Sequence, residues 1–336
     1  MKENTYVSVT ILLACLILAL GGKEVNCIRR DENTSGVPLN QKVNNTIVVD
    51  RGDVYDCIDV NLQPAFSHPL LKHHKIQMEP SSFPQSVSTK SLSIHARPPA
   101  QLSLIECPTG MIPILCNNRR VHKLVQAIDK VISKNEQQEV AGFEYLDVLY
   151  GTRAKINIYE PKVDGLKNRI CPDHDCGAFV QVSSSVGLGG RLKPVSIYGG
   201  PQYVIDVAIF KDPVTKNWWV SYGEKNIHFG YWPKEIFHFM KDQCNYALWG
   251  GYVQGPTASS DSPQMGSGHF ASEERGKAAV VRNILIVDNE NKYANPDARK
   301  ARLDITSSSK YTAKAYGYGY NDYGVHTYYG GPGAFV

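Results

Sequence analysis

The sequence predicts a mainly β protein, with an antiparallel β-sandwich core preceded by a small N-terminal α/β module. Many short apolar segments follow residue 140 and are separated by polar or Gly-rich turns, a pattern typical of a sandwich. Residues 119–135 instead place apolar residues three and four apart, which predicts an amphipathic helix in the module. The composition, 42% hydrophobic and 20% charged, excludes a fully disordered chain and a protein with many membrane spans.

The N-terminus has the features of a signal peptide. Residues 7–20 form an uncharged apolar run preceded by Lys2, and such a run is short for a membrane-spanning helix. Ala19 and Gly21 place small residues at −3 and −1 of a cut after Gly21. We therefore expect a signal peptide over residues 1–21 and a secreted, extracellular chain without membrane association after cleavage. The vacuole is the alternative compartment, and an uncleaved anchor is the alternative reading of the segment.

A polar, Asn-rich stretch follows, and residues 22–50 are expected to form a flexible leader. It contains two N-glycosylation sequons, which begin at Asn33 and Asn44. In an exported chain we expect modification of at least one of them. The net charge of +4 is too small and too dispersed for a nucleic-acid-binding surface.

Residues 51–139 are expected to form the small module and residues 140–336 the sandwich. In the module, the Ser- and Pro-rich run 80–100 predicts an exposed loop. In the core, residues 154–159 alternate apolar with polar side chains and predict a strand. The apolar run 203–210 is joined to 218–222 by a polar turn with Asp-Pro, which predicts a hairpin.

The remaining core elements are read from local pattern. Pro233 precedes the segment 234–247, for which we expect a short helix. The segments LWGGYV (248–253) and AAVVRNILIV (278–287) are expected to be strands, and a Gly- and Tyr-rich tail begins at Tyr311.

A series of unusual motifs runs through the chain in order. The N-terminal group comprises DCIDV (56–60), QPAFSHPLLKHHKIQM (63–78), Cys107-Pro108 and MIPI (111–114). The C-terminal group comprises Cys-x4-Cys (171–176), GAFVQ (177–181), GYWP (230–233), WGG (249–251), QMGSGHF (264–270) and YYGGPG (328–333). The first group resembles the activation-peptide module of the neprosin family of plant secreted peptidases, and the second resembles that family's catalytic domain. The resemblance covers roughly residues 50–336.

The resemblance implies a β-sandwich glutamic endopeptidase made as a zymogen, which cuts after proline under acidic conditions. In such an enzyme one glutamate activates water as general base, while a second, protonated glutamate donates a hydrogen bond to the developing oxyanion. Two carboxyls in one cleft can differ in protonation because like charges separate their titrations.

This sequence departs from the family at both glutamates. The family motif Trp-Gly-Gly-Glu is replaced here by Trp249-Gly250-Gly251-Tyr252, and a phenol that titrates near 10 cannot serve as a carboxylate base. The family segment Glu-Ala-Gly-Trp is absent, because only residues 164–170 lie where the family has several further strands. We therefore assign no catalytic residue, and expect an incomplete sandwich that is inactive as a glutamic peptidase. A skipped exon is the alternative explanation for the short segment, but it would not explain Tyr252.

The resemblance also implies two disulfides, Cys57–Cys107 in the module and Cys171–Cys176 in the core. A metal site at Cys171, His174 and Cys176 is the rival interpretation; we expect no metal there, because an exported chain favours a disulfide. Loss of Cys15 with the signal peptide leaves an odd number of cysteines. The pairing of Cys27, Cys116 and Cys244 stays open, and we interpret Cys244 as a buried helical thiol.

Four aromatic residues are candidates for a substrate groove: Tyr231, Trp232, Trp249 and Tyr252. For any one of them, packing in the core and across strands is the simpler explanation. We expect no cofactor and no nucleic-acid partner, and a peptide or protein partner, with a proline-rich segment as one candidate. The alternative function is a noncatalytic secreted β-sandwich that binds peptides, cell-wall protein or glycan.

Overall fold

The computed structural model describes residues 6–12, 45–49, 54–85, 99–102, 104–115, 137–160, 178–187, 192–255 and 259–333. These residues are mainly β, arranged in antiparallel sheets, so the predicted fold class is confirmed. The sequons at Asn33 and Asn44, the helix expected over 119–135 and the Cys-x4-Cys motif lie outside the described residues.

Three sheets account for the strands in this part of the chain. A three-stranded sheet of the module has the order β2–β3–β4, formed by Asn45–Val48, Val54–Asp59 and Met111–Leu115. A four-stranded sheet has the order β1–β11–β5–β14, formed by Tyr6–Leu12, Ala247–Gly255, Gln137–Tyr145 and Ala301–Ile305.

The third sheet has nine strands. Eight follow the order β15–β16–β12–β6–β8–β9–β10–β7, and β13 pairs with β12. In chain order these strands are β6 Gly151–Asn157, β7 Val180–Gln181, β8 Val204–Lys211, β9 Trp218–Tyr222, β10 Ile227–Trp232, β12 Ala279–Val287, β13 Tyr293–Ala294, β15 Thr312–Tyr316 and β16 His326–Gly330. The expected strand at 154–159 therefore corresponds to β6.

The helical elements among the described residues are 3-10 turns. They are Val60–Leu62, Pro64–Ser67, Pro69–Leu71, Lys234–Ile236, Ala271–Glu273 and Ala298–Lys300. None of the helices in this part of the chain has the length and apolarity needed to cross a membrane. Residues 6–12, which lie in the expected signal peptide, form β1; the signal peptide itself stays a prediction.

The four-stranded and nine-stranded sheets enclose the main core. Residues of both contribute to it, including Ala141 and Trp249 from the smaller sheet and Ile156, Ile209 and Trp218 from the larger one. The predicted hairpin is confirmed, since β8 pairs with β9 from Val207↔Tyr222 to Lys211↔Trp218. Within the described residues, two apolar sheet faces pack against each other and form the core of a sandwich.

The short helix expected over 234–247 is wrong beyond its first turn. The carbonyl oxygens that a helix would use are occupied by the core: Trp218 Nε1 donates to Met240 O at 2.9 Å, and Lys211 Nζ donates to Met240 O and Lys241 O at 3.2 and 2.6 Å. Farther on, Cys244 forms an antiparallel bridge with Leu149. The segment is therefore held in an irregular conformation by the strands that it crosses.

Candidate functional site

Strand β11 presents its side chains alternately to the core and to the outer face of the four-stranded sheet. Trp249 and Val253 belong to the main core. Tyr252 lies on the opposite face, where it packs in a small apolar cluster with Val140 and Leu248. The register agrees with this, because Tyr252 is the cross-strand partner of Val140, and cross-strand partners share a face.

Trp249 has a structural environment. It is fully buried, its indole packs against Phe143 with 5.8 Å between ring centroids, and its Nε1 donates to Thr152 Oγ1 at 3.0 Å. The described geometry therefore separates Trp249 from Tyr252 by the thickness of the sheet, although the two are only three residues apart.

The two glycines between Trp249 and Tyr252 are required by close packing. A Cβ on Gly250 would lie 2.3 Å from the backbone oxygen of Ala141, and one on Gly251 would lie 2.4 Å from Met265 Sδ. Side chains at these positions would push β11 away from β5 or from the core beneath it. The Trp-Gly-Gly string therefore fixes the position of residue 252 on the sheet.

Tyr231 and Trp232 lie on opposite faces of β10. Tyr231 is fully buried on the outer face of the nine-stranded sheet, where its hydroxyl is 2.8 Å from His74 Nε2 and accepts from Gln77 N at 2.9 Å. Burial raises the pKa of Tyr231 to about 12. Trp232 faces the other way and packs edge-on against Phe179, with 4.7 Å between ring centroids.

Residues 63–85 run across the outer face of the nine-stranded sheet and cover Tyr231. Asp212 is the main polar anchor: its Oδ2 accepts from Ser81 N at 2.6 Å and from Gln77 Nε2 at 2.9 Å, and its Oδ1 accepts from Ser81 Oγ at 2.6 Å. Burial alone would raise the pKa of Asp212, but hydrogen bonds from Ser81 and its neighbours outweigh burial and hold the pKa below its usual range. We call residues 63–85 the covering segment.

Two family models match this chain. The model described as Neprosin matches residues 124–332, and the model described as Neprosin activation peptide matches residues 46–142. The chain belongs to the neprosin family. It is therefore a neprosin-like, peptidase-related protein with an activation-peptide module, and peptides are the substrates that this membership suggests. The module boundary expected at residue 139 stays a prediction.

For a neprosin-family protein, the carboxyls on the same sheet face as residue 252 are of particular interest. Glu144 and Asp304 lie on the same face as Tyr252, because Glu144 pairs with Leu248 on β11 and Asp304 pairs with Gly142 on β5. Glu144 is buried and forms an ion pair with Arg302. Burial and the charge of Glu144 raise the pKa of Asp304, against the opposing charge of Arg302.

Sequence reasoning missed Glu144 and Asp304, because their place on the same sheet face as Tyr252 depends on strand pairings between distant parts of the chain. Four other acids are available as substitutes for the family's glutamates, with ordinary solvated side chains as the default interpretation: Glu160, Asp164, Glu224 and Asp261. Glu160 and Glu224 are surface residues that face Lys193 and Lys155, with 74% and 77% of their side chains exposed. Asp164 lies outside the described residues.

The neprosin groove candidates occupy separate places in the described structure. Trp249 lies between the sheets, Tyr252 on the outer face of the smaller sheet and Tyr231 beneath the covering segment. Trp232 packs against the main core from its partly exposed position. A shared groove role for these four residues stays a prediction.

The structure pairs Cys57 with Cys107, with 5.6 Å between their Cα atoms. Cys244 is buried, as expected, but it is disulfide-bonded and lies in an antiparallel bridge with Leu149 rather than in a helix, so the interpretation as a helical thiol is wrong. Within the described residues, no group of three or more His, Cys, Asp or Glu side chains is placed to hold a metal ion. The Cys171–Cys176 pairing stays a prediction.

Proposed function

We propose that this chain is an exported neprosin-family protein that derives from a proline-directed glutamic endopeptidase and has lost that activity. The observation that carries the proposal is Tyr252. The Trp-Gly-Gly string and its packing place residue 252 on the outer face of the smaller sheet, and the residue there is a phenol among apolar side chains. A phenol cannot replace a carboxylate as base at acidic pH.

The loss extends to the second glutamate. No Glu-Ala-Gly-Trp segment occurs anywhere in the chain. Removal of one acid or base typically costs about 10² to 10⁴ in rate, and groups that act as a unit lose almost all activity together. Glu144 and Asp304 do not restore the pair, because Glu144 is held by Arg302 rather than presented to a water.

The test is a peptidase assay on the purified full chain between pH 3 and 7, with peptides that contain a single proline. A family member that has both glutamates serves as the positive control. We expect no turnover from this chain and none from Tyr252→Glu, since the second glutamate is still absent. Turnover that copurifies with the chain and is abolished by Glu144→Gln or Asp304→Asn would refute the proposal and would locate a replacement pair.

Transcript sequencing across codons 163–171 tests the same proposal at the level of the gene. A contiguous transcript with these codons supports genuine loss. Recovery of a Glu-Ala-Gly-Trp segment would show that the natural chain has a longer core, and would contradict the loss of the second glutamate.

A noncatalytic binding role is the second candidate. Trp232 is partly exposed beside Pro233 and is braced by Phe179, an arrangement on which a proline ring could stack. Retention of the chain on a proline-rich peptide matrix measures this. We expect Trp232→Ala to weaken retention and Trp219→Phe, beneath the covering segment, to leave it unchanged. Equal retention of both variants would exclude a stacking role for Trp232.

A further inference from the structure

The outer edge of β11 differs from the other sheet edges of the sandwich. Its nine residues, Ala247–Gly255, include no charged residue and no proline. The opposite edge strand, β14, is five residues long and carries Arg302 and Asp304. In the larger sheet, β7 has two residues and β15 carries Lys314. Short length and charge are the usual protections of an edge against strand addition, and β11 has neither.

Pairing with a further strand would also stabilise this edge of β11. Leu248, Trp249 and Val253 are buried, so the backbone groups between them are flanked by apolar side chains on both faces of the sheet. Backbone N–H and C=O groups in such surroundings are costly when unpaired. Gly250 and Gly251, at the centre of the strand, have no side chains that could hinder an approaching backbone.

A strand does occupy this edge in the structure. Residues Tyr6–Leu12 pair with β11 in antiparallel register, from Tyr6↔Gln254 through Val9↔Gly251 to Leu12↔Leu248. The segment YVSVTIL is uncharged, lacks proline and is rich in β-branched residues, which are favoured in strands. It also lies within the expected signal peptide, whose removal would vacate the edge.

We propose that the outer edge of β11 is a peptide-docking site, which binds an extended, uncharged, proline-free segment by antiparallel strand addition. Main-chain hydrogen bonds would supply the affinity, and the chain's own residues 6–12 show the kind of ligand that fits. The inference rests on the proposed function in one respect only, the export step that removes residues 1–21. It does not depend on whether catalysis has been lost.

The experiment uses the full chain with a protease recognition site inserted after Gly21. The protein is folded intact, cut, and freed of the released segment by gel filtration. A fluorescein-labelled peptide YVSVTIL is then titrated, and its anisotropy is followed together with hydrogen exchange of residues 247–255. We expect binding to the cut chain at least about tenfold tighter than to the uncut chain, in which residues 6–12 compete. We also expect slower exchange of 247–255 with the peptide bound.

Two N-methylated peptides provide the matched control. One is methylated at Val7, Val9 and Ile11, and the other at Ser8, Thr10 and Leu12. In an antiparallel pair only every second N–H faces the partner strand. One peptide should therefore bind at least about tenfold more weakly, and the other should bind within about twofold of the parent.

Three results would overturn the proposal: equal binding of the two methylated peptides, peptide binding without protection of residues 247–255, or a dimer of the cut chain protected there without peptide. The last would make a second copy the occupant. The export proposal fails separately, if mass spectrometry of the secreted protein finds residues 1–21 retained.

Discussion

The outer faces of the two sheets are completed in different ways. On the nine-stranded sheet, the covering segment buries Tyr231 and packs Phe83 edge-on against Phe210, with 4.9 Å between ring centroids. Asp212 fixes the backbone of the covering segment by accepting from Ser81 N. On the four-stranded sheet, the outer face carries Tyr252, and the edge strand β11 is paired with residues 6–12. The side that holds the activation module makes specific contacts with it, whereas the other side presents a phenol at residue 252.

Under the proposed function, this contrast concerns which contacts a neprosin-family chain keeps when it loses its catalytic acids. The contacts of the covering segment stabilise the fold directly, because they bury aromatic rings and satisfy a buried carboxylate. Ionisable groups in a catalytic cleft, by contrast, generally cost stability rather than supply it. We therefore expect the fold to tolerate the absence of such acids better than the loss of the covering contacts.

The largest expected effect is on the stability of the activation module. Replacement of both Cys57 and Cys107 by Ser removes a cross-link over a sequence separation of 50 residues, and should lower the free energy of unfolding of the module by about 4 kcal/mol. Hydrogen exchange of β3 and β4 measures this. The amides of β12 in the core are the internal control and should exchange as before. Unchanged protection of β3 would contradict the assigned stabilising role.

A smaller effect is expected when Asp212, the polar anchor of the covering segment, is replaced. Asp212→Asn places an amide N–H₂ group where Oδ2 now accepts from Ser81 N and Gln77 Nε2, so donors would face donors. We expect a loss of about 1–3 kcal/mol in the docking of the covering segment, measured by hydrogen exchange of residues 76–85. Asp297→Asn is the control, since Asp297 caps a surface turn through Arg299 and lies outside the covering segment. Equal effects of the two variants would show that Asp212 is not an anchor.

Lowering the pH should weaken the docking of the covering segment, by a smaller amount. Burial lowers the pKa of His74 and of His228, opposed by the charges of Glu235 and Glu79 respectively. The unfolded chain therefore takes up protons first as the pH falls below about 6.5, and stability decreases until the folded-state pKa values are reached. Well above 6.5 both rings are neutral in both states, and this contribution is constant.

The pH effect has matched, non-titrating controls. His74 contacts Tyr231 through Nε2, and His228 contacts Ser221 through Nδ1. Glutamine at 74 and asparagine at 228 place an amide near those atoms. In the double variant, exchange of residues 76–85 should depend less on pH between 6.5 and 4.5. An unchanged pH dependence would assign the acid sensitivity to other groups.

The local sequence pattern predicts correctly those strands whose pairing partner is the next strand along the chain. The β8–β9 hairpin could be read from two apolar runs and a polar turn, because its pairing is local. The expected helix after Pro233 failed because Lys211 and Trp218 take the carbonyl oxygens of Met240 and Lys241. These donors belong to neighbouring strands, so the sequence of residues 234–247 alone cannot indicate them.

The candidate site shows the same limit. The Trp-Gly-Gly string locates position 252 in the sequence. The alternation of side chains along a strand then predicts that Trp249 and Tyr252 lie on opposite faces of the sheet. The acids on the face of Tyr252 could not be predicted from the sequence, because β5 and β14 are separated by more than 150 residues in the chain. Their register determines that Glu144 and Asp304 share the face of Tyr252.

The smallest expected effect is on the Tyr252 side, and it is mainly electrostatic. Glu144→Gln removes the negative charge that helps to raise the pKa of Asp304, so the pKa of Asp304 should fall. The free energy of unfolding should change by no more than about 1 kcal/mol, because the Arg302 side chain is 69% exposed and remains hydrated without its partner.

Carbon-13 NMR titration of the Asp304 carboxyl measures this shift, and urea unfolding measures the stability. Glu139→Gln is the matched control: Glu139 is also buried on β5, but it accepts from Thr306 Oγ1 and faces Lys310. It lies an odd number of residues from Glu144, so the two side chains point to opposite faces of the strand. Only Glu144→Gln should lower the pKa of Asp304. Equal shifts from both variants would show that the two faces of this sheet are not electrostatically separate, and would remove the distinction between the core side and the Tyr252 side.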